Sequence, residues 1–140
     1  MLPELKDCVL DHIAIAVKSI DVHQKIWEDL GLKFDEKREI VEEQKVKTAF
    51  AHVDTNAHIE LLEPTSDESA IAKFITSKGE GIHHLCFKVS DINQKQKELE
   101  SKGYRFIYTA PKLGAGGCMV NFMHPKTTGG VLIEISSGRP

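Results

Sequence analysis

The sequence predicts an α+β fold: two tandem βαβββ modules forming a curved mixed sheet, a cup with its helices on the outer face. Three observations predict it. Asp11 to Phe34, DHIAIAVKSIDVHQKIWEDLGLKF, aligns without a gap on His83 to Phe106, HHLCFKVSDINQKQKELESKGYRF. His12 falls on His84, Ile20 on Ile92, Gly31 on Gly103 and Phe34 on Phe106, a constant offset of 72 positions. Each copy passes from a short run rich in β-branched or aromatic residues to a helical pattern, and three further strand-like segments follow each helix.

Taken in order, residues 10–17 read as the first strand. In the helix that follows, Val22, Ile26 and Leu30 recur at i, i+4 and i+8, and Gly31 supplies a stop. Strands are expected near 32–40, 45–53 and 57–63. SDESAIAKFITSKG, residues 66–79, predicts a connecting helix capped by Ser66 or Asp67, with Ile71, Phe74 and Ile75 as its apolar stripe and Gly79 as its end. The second module repeats the order: strand 83–89, a helix capped by Asp91 that packs through Leu99 and ends at Gly103, then strands near 104–109, 118–123 and 130–136. The whole of 1–140 is expected to be one domain, with module one at about 10–63, the connecting helix at about 66–79 and module two at about 82–136.

Composition narrows the function classes. The 140 residues carry 18 basic and 21 acidic side chains, a formal net charge of -3, with no Lys/Arg block. A nucleic-acid or anionic-membrane role is therefore not expected. Cys8, Cys86 and Cys118 are odd in number and widely spaced, which argues for a reducing compartment and against a disulfide scaffold or a zinc ribbon. MLPELKDCVL has neither a signal nor a transit pattern, and no segment reaches membrane-spanning length. A cytoplasmic protein is expected, or one in the mitochondrial matrix if a leader has been removed.

Strand parity selects the candidate site. On the first strand His12 shares a face with Ala14 and Ala16, opposite Ile13, Ile15 and Val17; on its counterpart His84 shares a face with Cys86 and Lys88, opposite His83, Leu85, Phe87 and Val89. The bulky apolar face belongs under helices, so His12 and His84 face the cup and His83 faces away, with a structural role. The last strand of each half adds a carboxylate between apolar residues: Glu60 in HIELLEP and Glu134 in GVLIEIS, 74 positions apart. Buried singly, each charge would cost several kcal/mol; one cation would satisfy two acids and two imidazoles together. Imidazole and carboxylate donors suit Zn, Fe, Co, Ni or Mn. His52, His58 and His124 are candidates to lie near the site, and His23 is expected on a solvated helix face. LGAGG, residues 113–117, flanked by Lys112 and Lys126, has only a loose likeness to a phosphate cradle and reads as a hairpin connection.

DHIAIAV, EEQKVKTAF, IELLEP, DESAIAKF, GEGIHHLCFKVSDI, PKLGAGG and HPKTTGGVLIE, in this order, resemble the vicinal oxygen chelate (glyoxalase/bleomycin resistance/dioxygenase) superfamily, and within it the methylmalonyl-CoA epimerase family. The resemblance spans about residues 10–136. It implies a glyoxalase-like fold, a homodimer, and metal ligands at His12, Glu60, His84 and Glu134, the four that parity and repeat select. It further implies a divalent ion, cobalt first and Zn, Mn or Ni as alternatives, and epimerisation of (2R)- and (2S)-methylmalonyl-CoA through a metal-stabilised enolate. Glu134 is the first candidate base. Where some relatives carry a second acid, this chain has Thr48, which leaves Glu43 or Gln44 as possible substitutes. Rival readings are a glyoxalase I-type lyase, an oxygenase with a three-ligand iron site, and a non-catalytic small-molecule binding or resistance protein of the same fold.

Overall fold

The computed structural model describes residues 7–138, so the first six residues of the N-terminal reading lie outside it. β1 (Cys8–Ala16) and α1 (Ile20–Asp29) are followed by β2 (Glu39–Val41), β3 (Val46–His52) and β4 (His58–Pro64). After α2 (Ala70–Lys78) come β5 (Gly81–Val89), α3 (Ile92–Ser101), β6 (Lys112–Leu113), β7 (Met119–Met123) and β8 (Ile133–Ser136). The chain thus adopts the tandem βαβββ order. Its strands hydrogen-bond in the order β2-β3-β4-β1-β5-β8-β7-β6. The sheet is mixed: β1 with β4 and β5 with β8 are parallel, whereas the β2–β3, β3–β4, β6–β7 and β7–β8 pairs are antiparallel. Contacts group the described residues into two compact units, one of His12–His83, the other of residues 84–138 with 7–11. Among the described residues no helix is long and apolar enough to cross a membrane.

In the first unit, Ile15 and Val17 pack with Ala49, Ala51, Ile59, Leu61 and Phe34, and Ile13, Trp27 and Leu32 close the cluster. Ser19 caps α1 by accepting from the Val22 amide, and Gly31, at φ +109, lets the chain leave the helix in a conformation that a Cβ would strain. The helix does not bury the expected stripe. Val22, Ile26 and Leu30 are 77, 55 and 72 % exposed, and α1 docks through fully buried Ile20 and through Trp27 seven residues on. Ile20 and Trp27, two helical turns apart, lie on the side of α1 that meets the core, and this fixes the helix rotation. His23 follows it: it is half-buried, its ring 6.3 Å from that of Trp27, rather than on a solvated face.

The strand expected at 32–40 contracts to β2 and a single bridge from Phe34 to Ala51. Between them Asp35, Glu36, Lys37 and Arg38 favour solvent over a ladder. The connecting helix also starts later than expected. Its N-cap is Ser69, not Ser66 or Asp67: buried Ser69 accepts from the Ile71 amide at 3.2 Å and donates to the Gln44 carbonyl at 3.3 Å. Ser66 instead holds the preceding turn through the Glu68 amide. Ile71, Phe74 and Ile75 then pack on Ala14, Ala16, Val46 and Leu62. Thus α2 covers one end of the face bearing His12, where all helices were expected on the opposite side.

In the second unit Asp91 caps α3 through the Gln94 amide and Gly103, at φ +99, ends it, as expected from Ser19 and Gly31 72 positions earlier. Leu99 is half-buried, and Ile92 and Gln96 make the buried contacts. The strand expected at 104–109 is reduced to a bridge from Phe106 to Met123. Side chains replace the ladder there. Fully buried Asn121 accepts from the Tyr108 amide and donates to the Tyr108 carbonyl and to Gln96 Oε1, while Gln96 donates to the Thr109 carbonyl. LGAGG is the hairpin connection between β6 and β7, closed by Gly114 N–H to the Cys118 carbonyl at 2.8 Å.

Candidate metal centre and active site

Each unit places one histidine beside one glutamate. In the first, His12 Nε2 on β1 lies 3.7 Å from Glu60 Oε1 on β4; in the second, His84 Nε2 on β5 lies 3.1 Å from Glu134 Oε1 on β8. All four are buried, between 5 and 8 % exposed.

The registers explain why. Glu60 stands opposite Ala14, and Glu134 opposite Cys86, in each case two residues beyond the histidine on the parallel neighbour. Ala14 and Cys86 are themselves 72 positions apart. The two acids therefore occupy equivalent places, and their offset of 74 only reflects a longer connection in the second module. On its other side Glu60 opposes Phe50 and Glu134 opposes Phe122, again 72 apart. Phe50 packs edge-on to His12, with centroids 6.4 Å apart, and Phe122 edge-on to His84 at 5.4 Å. The small Ala14 and Cys86 leave room beside each carboxylate, and the phenyl rings brace each imidazole. These two phenylalanines escaped the sequence reading, although the same 72-residue offset would have found them.

Of the other candidates, His83 packs edge-on against Phe74 at 4.9 Å, away from the carboxylates. His124 caps a 3-10 turn, its Nδ1 accepting from the Lys126 amide. His58 stands in register with His12 and His52 on the same face, with the rings of His52 and His58 4.6 Å apart, and His52 Nε2 lies 3.6 Å from Asp35 Oδ1. Asp35 and His52 line an open groove of about 610 Å³ with Lys33, Phe34 and Glu36. Glu43 and Gln44 lie exposed on the turn after β2. Thr48 is buried, and its hydroxyl donates to the Glu39 carbonyl at 3.3 Å.

The donor chemistry fits a divalent cation. A buried carboxylate is costly unless positive charge satisfies it, and an imidazole beside it supplies the nitrogen donor that a first-row metal prefers. Within each unit the pair, His12 with Glu60 or His84 with Glu134, offers one imidazole nitrogen and one carboxylate oxygen to such an ion.

Comparison with known proteins agrees with this chemistry. Residues 11–122 match the Glyoxalase/Bleomycin resistance protein/Dioxygenase superfamily. The mitochondrial methylmalonyl-CoA epimerase of Dictyostelium discoideum is 38 % identical over 90 % of this chain and 76 % of its own length. The crystal structure of methylmalonyl-CoA epimerase from Mycobacterium tuberculosis is 38 % identical, with a TM-score of 0.87 over 94 % of this chain and 88 % of that one. A methylmalonyl-CoA epimerase in complex with methylmalonyl-CoA and NH4+ is 31 % identical, with a TM-score of 0.85 over 96 % of this chain and all of its own. From the repeated His–Glu–Phe constellation, the βαβββ duplication and these similarities, the chain belongs to the glyoxalase/bleomycin resistance protein/dioxygenase superfamily and, within it, to the methylmalonyl-CoA epimerases.

Proposed function

We propose that this protein interconverts the (2R) and (2S) forms of methylmalonyl-CoA, with His12, Glu60, His84 and Glu134 as ligands of one divalent cation and Glu134 as a base. The observation that carries the reading is the duplicated buried pair, His12 with Glu60 and His84 with Glu134, in equivalent strand registers. Bound there, a divalent cation supplies positive charge to the substrate oxygens on which negative charge develops.

The chain's own groups do the rest. Glu134 takes the proton from the carbon between thioester and carboxylate. A carboxylate has two oxygens, so one can serve as a ligand while the other remains basic. His84 Nε2 and Glu134 Oε1, 3.1 Å apart, are close enough to bind one cation together, and Phe122 packs edge-on to the imidazole. Phe50 and Phe122 exclude water from the pairs beside them, which favours return of the proton from a protein group.

Cobalt is the metal we assign first, from the family resemblance and the N/O donor set. We assign the residues from 1 to 140 to a single catalytic domain acting as a homodimer in the cytoplasm; the odd number and wide spacing of Cys8, Cys86 and Cys118 support a reducing compartment. Sedimentation velocity checks the dimer.

The test is NMR-monitored exchange of the methylmalonyl-CoA α-proton in deuterated solvent, with and without chelator. Exchange with inversion, lost on chelation and restored by cobalt, is the expected result. Turnover of a glutathione hemithioacetal with no exchange of the acyl-CoA would instead indicate the lyase.

A further inference from the structure

We infer that Glu39 is the second acid/base of the epimerisation, serving the face of the reacting carbon that Glu134 does not; the inference rests on the epimerase reading. Inversion needs a proton removed from one side of the carbon and another delivered from the opposite side, most simply by two groups. Thr48 cannot be the second, since an alcohol is too weak an acid/base near neutrality and its hydrogen is already directed to the Glu39 carbonyl.

Register then selects the carboxylate. Residues directly opposite on neighbouring strands point to the same side of a sheet. Glu39 opposes Thr48, Thr48 opposes Leu62 and Leu62 opposes Ala16, so Glu39 shares the face of Ala14, Ala16, His12 and Glu60. Burial along β2 agrees. Glu39 and Val41 are half-buried, Val41 packs on Ala14, Ala16 and Leu62, and Ile40 between them is 55 % exposed on the other side. Thr48 is short and buried, so the longer Glu39 side chain has a small neighbour on that face.

Other acids of this unit are placed differently. Glu43 is exposed on the turn, Asp35 faces His52, and Glu63 has the opposite parity to Glu60, accepting from the Ile20 amide at 2.8 Å and facing Lys47 at 3.6 Å. In the second module the residue equivalent to Thr48 is Val120, and it is opposed by Lys112, so no carboxylate stands at the matching place. Besides His52, which faces Asp35, His58 is the titratable rival of this unit on the face. Its ring pairs with His52, and the Phe50 ring, 6.2 Å from His58 and 6.4 Å from His12, packs against both.

The proton balance is simple. In one direction the Glu134 carboxylate accepts the α-proton as the C–H bond breaks and the electron pair passes into the thioester carbonyl. The neutral Glu39 carboxyl then donates its proton to the opposite face and is left as carboxylate. In the other direction the roles exchange, and both groups re-equilibrate with solvent.

The test uses the cobalt-loaded enzyme and its Glu39→Gln, Glu39→Asp and His58→Gln variants, following inversion and deuterium incorporation separately for each stereoisomer. Glu39→Gln is expected to bind cobalt as the wild type does and to lose inversion by about 100-fold or more. It should still exchange the α-proton of the one stereoisomer that faces Glu134, without inverting it. Glu39→Asp should recover part of the inversion, and His58→Gln should invert normally. The assignment is overturned if Glu39→Gln inverts at the wild-type rate, if it loses exchange equally from both stereoisomers, or if His58→Gln is the variant that separates exchange from inversion. A wild-type enzyme that exchanges neither stereoisomer would sink the epimerase reading itself, and the role of Glu39 with it.

Discussion

Of two adjacent histidines, His84 faces Glu134, whereas His83 turns its ring to Phe74. This contrast is the consequence of strand alternation, and it makes the two positions separable by mutation. His84→Ala should lower divalent-metal affinity by at least about 10-fold, the scale on which metal-site orientation is lost, whereas His83→Ala should leave it unchanged; isothermal titration with cobalt reads the difference. The two glutamates differ as well. Glu60→Gln keeps an oxygen donor of the same length, so cobalt binding and α-proton exchange should persist. Glu134→Gln removes the proposed base, and exchange from the stereoisomer it serves should fall by about 100-fold or more with metal still bound. Undiminished exchange in that variant would exclude Glu134 as an obligatory base.

At the scale of single elements, α1 illustrates how a regular stripe misleads. Val22, Ile26 and Leu30 have helical spacing, but the buried seam runs through Ile20 and Trp27. Trp27→Ala should therefore cost about 3 kcal/mol or more in urea unfolding, and Ile26→Ala less than about 0.5 kcal/mol. Equal costs would mean that the helix is rotated. The β3–β4 turn is held by Asp54, whose carboxylate accepts from the Asn56 and Ala57 amides at 2.8 and 2.7 Å. The Ala57 bond chiefly, with that from Asn56, holds its carboxyl below the ordinary Asp range. Because the folded value is lowered, this stabilisation is present above the ordinary Asp value and is lost as the pH falls through the lower one. Amide exchange at Asn56 and Ala57, followed by NMR with pH effects on intrinsic exchange removed, should lose protection on acidification, and Asp54→Ala should be unprotected throughout.

On the scale of the whole chain, duplication has produced two βαβββ modules, each with a buried His–Glu pair braced by a phenylalanine. Buried ion pairs of this kind add little stability by themselves, and a cation bound only by the folded chain adds to it. Metal binding should thus raise the melting temperature. At a free cobalt concentration 100 times the Kd the gain is about 2.7 kcal/mol, and a chelator should reverse it. A differential scanning measurement that finds the same melting temperature with cobalt, with chelator and in His12→Ala would contradict the metal assignment.

Periodicity and the 72-residue offset are local or pairwise properties of the chain, and they were enough to read the βαβββ duplication, the caps at Asp91, Gly31 and Gly103, and the face shared by His12 with Ala14. They also singled out His12, Glu60, His84 and Glu134 as candidate ligands, because alternation on a strand is imposed by backbone geometry. What no local pattern contains is competition between distant groups. Packing decided that Trp27 rather than the aliphatic stripe is buried, and that α2 covers Ala14 and Ala16. The side chains of Asn121 and Gln96 replaced a strand ladder near Tyr108. Pairing register made Glu60 and Glu134 equivalent despite unequal spacing, and it put Glu39 opposite Thr48, because hydrogen bonds between strands far apart in sequence set which residues meet.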